Sequence, residues 1–178
     1  MGNAEGHFKH FLAALGFDGD EELDQTPEKV AEFFREFAPK GDCPPIDLLP
    51  TESSEPIVLE DLPFHSLCAH HLVPFFGHAR IAYLPEKRIA GFGCLVRALH
   101  HFARQPQLQE RLGDQLAEYL QRSLQARAVL IELKSRQMCI EMRGVKSSGK
   151  VRTLHRKVAE GTPSDSPDLR LLETLVYG

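Results

Sequence analysis

No apolar run in the 178-residue sequence approaches the roughly 18 residues that a membrane-spanning helix needs. A signal-peptide core is missing too: Met1 opens a polar stretch of mixed charge, which predicts a cytoplasmic protein. Positive charge is not in excess. The 21 Lys and Arg against 25 Asp and Glu leave a formal net charge of −4, so no global basic field recruits nucleic acid. Any anion site must be built locally. Cysteine is sparse, and Cys43, Cys68, Cys94 and Cys139 lie far apart, in the manner of thiols or metal ligands rather than a disulfide framework. These absences exclude a membrane protein, a secreted mini-protein and a general nucleic-acid binder. Hydrophobic residues at 42% and charged residues at 26% match a globular chain, and the length suits one domain with a small appendage.

The first 40 residues read as two short helices. Phe8, Phe11, Leu12 and Leu15 recur at helical spacing and Gly16 supplies a stop. Thr26-Pro27 predicts an N-cap followed by proline at the first helical position, with Val30, Phe33, Phe34 and Phe37 as the apolar face. A stretch rich in Pro, Gly and Ser over 38–56 then predicts a linker. The expected organisation is a helical arm over 1–40, a linker over 41–56 and the main domain over 57–178. Within that domain, 78–84 and 89–92 read as a hairpin turning at Pro85–Arg88. Two helices follow, one spaced by Leu95, Leu99 and Phe102, the other by Leu108, Leu112, Leu116, Leu120 and Leu124 at strict i, i+4 intervals. Residues 128–133 and 138–142 read as two strands joined by a polar turn at 134–136, with a tail beyond. The fold class predicted is α+β with a largely antiparallel sheet.

Histidine is abundant, with nine residues, and His70 and His71 are adjacent. Cys68 and His71 are spaced C-x-x-H, which lets a thiolate and an imidazole converge on one ion from a single turn. Alternation over 137–143 sets Gln137, Cys139, Glu141 and Arg143 on one face of the expected strand, opposite Met138, Ile140 and Met142. Cys68, His71 and Cys139 would make a Cys₂His zinc site with a fourth position left for water, the composition of a catalytic site. His70 could then donate or accept a proton. Each feature alone has a plainer explanation: a chance spacing, a buried structural thiol at Cys139, a solvated helix charge at Glu110, a solvated basic edge from Arg143 onward. Spacing by itself reaches a possible zinc hydrolase and no further.

The segment from Ser66 to Gly77 (SLCAHHLVPFFG) resembles the zinc-binding signature of GTP cyclohydrolase I. Arg97, the run Gln107–Leu112 (QLQERL) and the run Met138–Val145 (MCIEMRGV) match the same family in order, as do Leu15–Asp18 and Thr26–Val30 in the arm. The resemblance implies a tunnelling fold (T-fold): an antiparallel sheet backed by two helices, with an N-terminal helical arm and sheets joined into an oligomeric barrel. It implies a homo-oligomer, commonly a decamer, that opens the imidazole ring of GTP, releases formate and yields 7,8-dihydroneopterin triphosphate. Carried over by position, Cys68, His71 and Cys139 are Zn2+ ligands and His70 is a catalytic acid/base. Glu110, with Gln109 and the backbone around Leu108, would grip the guanine edge, and Arg97 and Arg143 would hold phosphate oxygens.

Several positions depart from the family pattern. Gln137 stands where the family carries a second catalytic histidine, and an amide cannot transfer a proton near neutral pH. Gly93-Cys94 replaces a serine-lysine pair, which removes a phosphate contact and leaves Cys94 in the substrate region as a new nucleophile or a space-filler. Ala69 replaces a common glutamate. Three readings follow: an ordinary GTP cyclohydrolase I; a divergent purine ring-opening hydrolase that stops at the formamide or takes a less phosphorylated substrate; and a non-catalytic zinc-binding paralogue.

Overall fold

The computed structural model describes residues 3–38, 41–163 and 165–177. Pro39 and Lys40, at the start of the expected linker, lie outside the described residues. The chain divides into two compact units, 1–39 and 40–178.

In the first unit, α1 spans Ala4–Ala14, capped by Asn3, whose side chain accepts from the Gly6 N–H at 2.9 Å. Gly16 ends this segment in the left-handed region at φ 86°, a conformation glycine adopts without a Cβ clash. A short 3₁₀ turn at Glu21–Leu23 leads to α2, Thr26–Glu36. The cap is not Thr26 as predicted: Gln25 precedes the helix without a side-chain cap bond, and Thr26 and Pro27 both sit in the first turn. Phe8 stacks on Phe34 at 5.6 Å and Phe37 is buried, so the apolar spacing does hold the helices together.

The second unit contains β1 (Leu48–Pro50), β2 (Ile57–Cys68), β3 (Pro74–Leu84), β4 (Arg88–Ala90), α3 (Phe92–Ala103), β5 (Pro106–Gln107) and α4 (Gln109–Leu124). It continues with β6 (Ala128–Gln137), the single helical turn α5 (Met138–Glu141), β7 (Lys150–Val158) and α6 (Pro167–Tyr177). The main sheet runs β5-β2-β3-β6-β7 and is antiparallel except for the short β2–β5 pair. This mixed α+β arrangement, rich in antiparallel strands and flanked by helices, is compatible with a T-fold. The faces of β3 and β6 alternate as pleating requires. Ala79, Ile81, Tyr83, Val129, Ile131 and Leu133 pack with Leu95 and Leu99 of α3 and with Leu112, Leu116, Leu120 and Leu124 of α4. On the opposite face Ala82, Leu84, Ala128 and Leu130 receive Leu172 and Val176 of α6. Each buried leucine in these layers contributes about 1.5–3 kcal/mol relative to exposure.

Three expectations are overturned. The hairpin between 78–84 and 89–92 does not form, because β2 and β6 already occupy both edges of β3. The return segment instead pairs with β1, inside the stretch read as linker, and Phe92 opens a helix. The expected turn at 134–136 is continuous strand: Lys134, Ser135 and Arg136 pair with β3 on one side and β7 on the other. Residues 138–142 are therefore not a strand, and Cys139 lies on a helical turn. The expected tail holds β7 and α6.

Candidate functional site

Cys68 ends β2 and opens the tight connection to β3. Its N–H donates to the Val73 carbonyl at 2.9 Å, and its own carbonyl accepts from the N–H groups of His71 and Leu72. The turn curls back so far that Leu72 adopts φ 53°, a strained conformation for a branched side chain. This curl returns His71 onto Cys68, with Nδ1 3.7 Å from Sγ. Cys139 arrives from the other side of β3. The register pairs Phe75 with Gln137, so α5 begins beside the start of β3 and carries its thiol over the end of β2. Arg136 fastens the turn by donating from Nε to Glu141 Oε1 at 3.0 Å. That bond holds the Glu141 carboxyl below its usual range.

The Cys68, His71 and Cys139 ligand atoms all lie within 4.8 Å of one another, the only such His, Cys, Asp or Glu group among the described residues. Tetrahedral zinc with bonds of about 2.0–2.3 Å sets its ligand atoms some 3.5–4 Å apart, so the cluster fits such an ion. Burial pushes the Cys139 thiol up, and the Cys68 thiol beside it pushes in the same direction; the charge of Arg143 opposes both weakly. A dication at this point would relieve the opposition to ionisation at Cys139. His70 is exposed, its ring 6.2 Å from that of His71 and nearly perpendicular to it.

The remaining predicted residues fall into two groups. Leu108 caps α4, and Glu110 is exposed in its first turn, where the helix dipole favours a carboxylate. Gln109 points the other way. It is 3% exposed and spends its amide inside the sheet, donating to the Leu133 and Val151 carbonyls and to Thr153 Oγ1, while Ser135 and Gln137 donate to its oxygen. Gln109 thus holds Gln137 rather than extending toward solvent beside Glu110. Arg97 and Cys94 form another cluster: Arg97 Nη2 is 2.9 Å from Cys94 Sγ and 3.9 Å from Asp47 Oδ2. Cys94 is buried at 5% exposure. Arg143 is exposed on the loop after α5.

Sequence reasoning missed Ser135 and Thr153. Ser135 carried a signal: with β6 read as one strand, Leu133, Ser135 and Gln137 share a face, and a polar residue after a core leucine marks the spot. Thr153 carried none, since its place depends on the register of β7.

A convergent thiol–imidazole–thiol group at the end of an antiparallel sheet, with a helix N-terminus and its carboxylate alongside, defines a candidate metal-assisted enzyme site. Comparison with known proteins identifies the lineage. The family pattern described as GTP cyclohydrolase I matches residues 4–171. Proteins named GTP cyclohydrolase 1 are 40% identical over 144 residues in Aquifex aeolicus (strain VF5), covering 78% of this chain and 77% of that protein. They are 41% identical over 144 residues in Hydrogenobaculum sp. (strain Y04AAS1), covering 79% of each. The relative in Carboxydothermus hydrogenoformans (strain ATCC BAA-161 / DSM 6008 / Z-2901) is 41% identical over 144 residues, covering 78% and 75%. Among solved structures, the apo form of an archaeosine synthase QueF-Like protein is similar at a TM-score of 0.46 and 13% identity, over 64% of this chain and 100% of that one. That likeness is too slight to carry an argument. The chain belongs to the GTP cyclohydrolase I family.

Proposed function

We propose that the protein is a zinc-dependent cyclohydrolase that opens the imidazole ring of GTP, giving formate and 7,8-dihydroneopterin triphosphate. The observation that carries this reading is the convergence of Cys68, His71 and Cys139 in a chain of this family. Zinc, when bound, supplies Lewis acidity and an activated water. The chain's own residues do the rest. The Glu110 carboxylate accepts from the guanine N1–H and exocyclic amine, a pattern that adenine cannot satisfy. Arg97 and Arg143 donate to phosphate oxygens, with Cys94 beside Arg97. His70, free of the ligand cluster, moves protons at the reacting edge. The working unit is a homo-oligomer in the cytoplasm, a decamer or similar toroid, and its partner is a guanine nucleotide rather than nucleic acid or membrane.

A second reading is favoured by Gln137 and by Gly93-Cys94: ring opening that stops at the formamide, or a less phosphorylated substrate. Incubation of the zinc-loaded protein with GTP, GMP and guanosine, followed by mass spectrometry and a formate assay, separates the two. Formate with a fluorescent dihydropterin from GTP is the expected outcome. A product heavier by one water, without formate, would establish the second reading. Turnover of GMP or guanosine alone would assign the loss of the lysine to a change of substrate, and no turnover of any would sink both.

A further inference from the structure

Gln137 lies directly before the turn that carries Cys139 and lines a recess of about 140 Å³ with Ile140, Glu141 and Ser147. An amide can face such a recess with its donor or its acceptor, and the chemistry available differs completely. Here the surrounding bonds decide which. Gln109 Nε2 lies 3.1 Å from the Leu133 carbonyl oxygen and 3.2 Å from that of Val151. Peptide carbonyls only accept, so this end of Gln109 must be its NH₂ group. Its oxygen therefore points toward Ser135 and Gln137. Ser135 donates to it from Oγ at 2.5 Å, and Gln137 donates from Nε2 at 2.8 Å. Gln137 Nε2 also donates to Ser135 Oγ at 3.0 Å. Both N–H bonds of Gln137 are thus directed inward. No described residue donates to its Oε1. The polarity of three side chains is dictated by two backbone carbonyls at the base of the network.

We infer that Gln137 serves the reaction as an acceptor only, and that Gln109 and Ser135 are positioning residues that hold it in that sense. The inference rests on the ring-opening reading above. In the guanine imidazole ring N7 is itself an acceptor and offers nothing to a carbonyl oxygen. When water adds across the C8=N7 bond, its oxygen bonds to C8, the C8–N7 π bond breaks and one proton ends on N7. N7–H and the C8 hydroxyl are then donors. Gln137 Oε1 meets a donor only after that step, so its bond stabilises the hydrated ring and not the bound substrate. The amide oxygen has no useful basicity, so Gln137 orients the hydrate while proton movement falls to His70.

The test is steady-state formate release from GTP by the zinc-loaded full chain at pH 8, with zinc content and thermal midpoint recorded for each variant. Gln137→Glu keeps the shape of the side chain but sets an acceptor against Gln109 Oε1. It should lower kcat by at least about tenfold and change KM by less than about threefold. An imidazole can donate one N–H inward and present a bare nitrogen outward, so Gln137→His should recover what Gln137→Glu loses. Ser135→Ala should lower kcat by about two- to fivefold alone and do nothing further on top of Gln137→Leu. A Gln137→Glu variant with wild-type kcat, a loss expressed wholly in KM, or additive Ser135 and Gln137 effects would overturn the inference while leaving ring opening intact. A folded, zinc-replete wild type that neither consumes GTP nor releases formate would overturn the reading beneath it, and the inference with it.

Discussion

Cys139 sits beside a second thiol in a half-buried turn, and burial and the Cys68 thiol both act on it against ionisation. A metal that binds there must displace a proton before it gains a thiolate. Zinc uptake is therefore expected to release at least one proton per ion, and apparent affinity should rise by about tenfold or more per pH unit below the thiol range. Calorimetric titration in two buffers of different ionisation enthalpy measures this directly; uptake without proton release would mean that the thiols are already ionised. At this scale the sequence was partly transparent. Cys68 and His71 were legible because one turn brings an i, i+3 pair together whatever the rest of the chain does. Cys139 was legible through the family motif, though the strand expected to carry it is a helical turn. The role of Gln109 was not legible. It sits next to Glu110 in sequence, but successive helix residues are about 100° apart, and one of the two turns into the sheet while the other faces out.

Among the elements, α4 was the easiest to read, since five leucines at four-residue intervals admit little but a helix with one buried stripe. The strands were harder. Charged residues at 134 and 136 look like a turn in the sequence, yet in β6 they are the outward members of an alternation whose inward members are Leu133 and the buried Ser135. The hairpin expected after β3 failed for a reason its own residues do not contain: both edges of β3 were taken, one by the preceding β2 and the other by β6 from beyond two helices. Tertiary competition, not propensity, set that outcome. The contact of α4 with β7 offers a sharp test. A Cβ placed on Gly113 would lie 2.0 Å from Cδ2 of the buried His155 ring, which Asp114 holds through Nδ1 at 2.9 Å. Alanine improves helix propensity by about 1 kcal/mol, but the overlap with a pinned ring should outweigh it. Gly113→Ala is expected to destabilise by about 1–3 kcal/mol, read as a lower urea midpoint. A variant as stable as the parent would show that the ring can swing aside.

For the whole molecule, several groups raised by folding share one sign. Burial pushes up the thiols of Cys43 and Cys139 and the phenols of Tyr83 and Tyr119. Each favours the neutral form in the folded chain, so its contribution is complete below the unfolded value and is lost as pH rises through the folded one. The urea midpoint of the metal-free protein is expected to fall steadily from about pH 8.5 upward, through the thiol and then the phenol range. A midpoint flat to pH 10.5 would contradict that linkage. On the acid side Glu118 and Glu141 are held low by Lys157 and Arg136, so their contribution is present at neutral pH and lost as pH falls. Both are surface pairs, and that limb should be shallow.

The smallest element in the sheet has the widest reach. β5 is two residues long, yet it pairs Gln107 with Cys68, and the Gln107 carbonyl accepts from the Ala69 N–H at 2.9 Å. Three residues after Gln107 comes Glu110. The thiol at one end of the site and the carboxylate at the other therefore hang from a single stitch, which works as a calliper. A ligand that reached from one to the other, as the proposed reading requires, would be gauged by length before any hydrogen bond is counted. Adding one residue between Gln107 and Glu110 would leave every functional group in place chemically and reset the gap they measure.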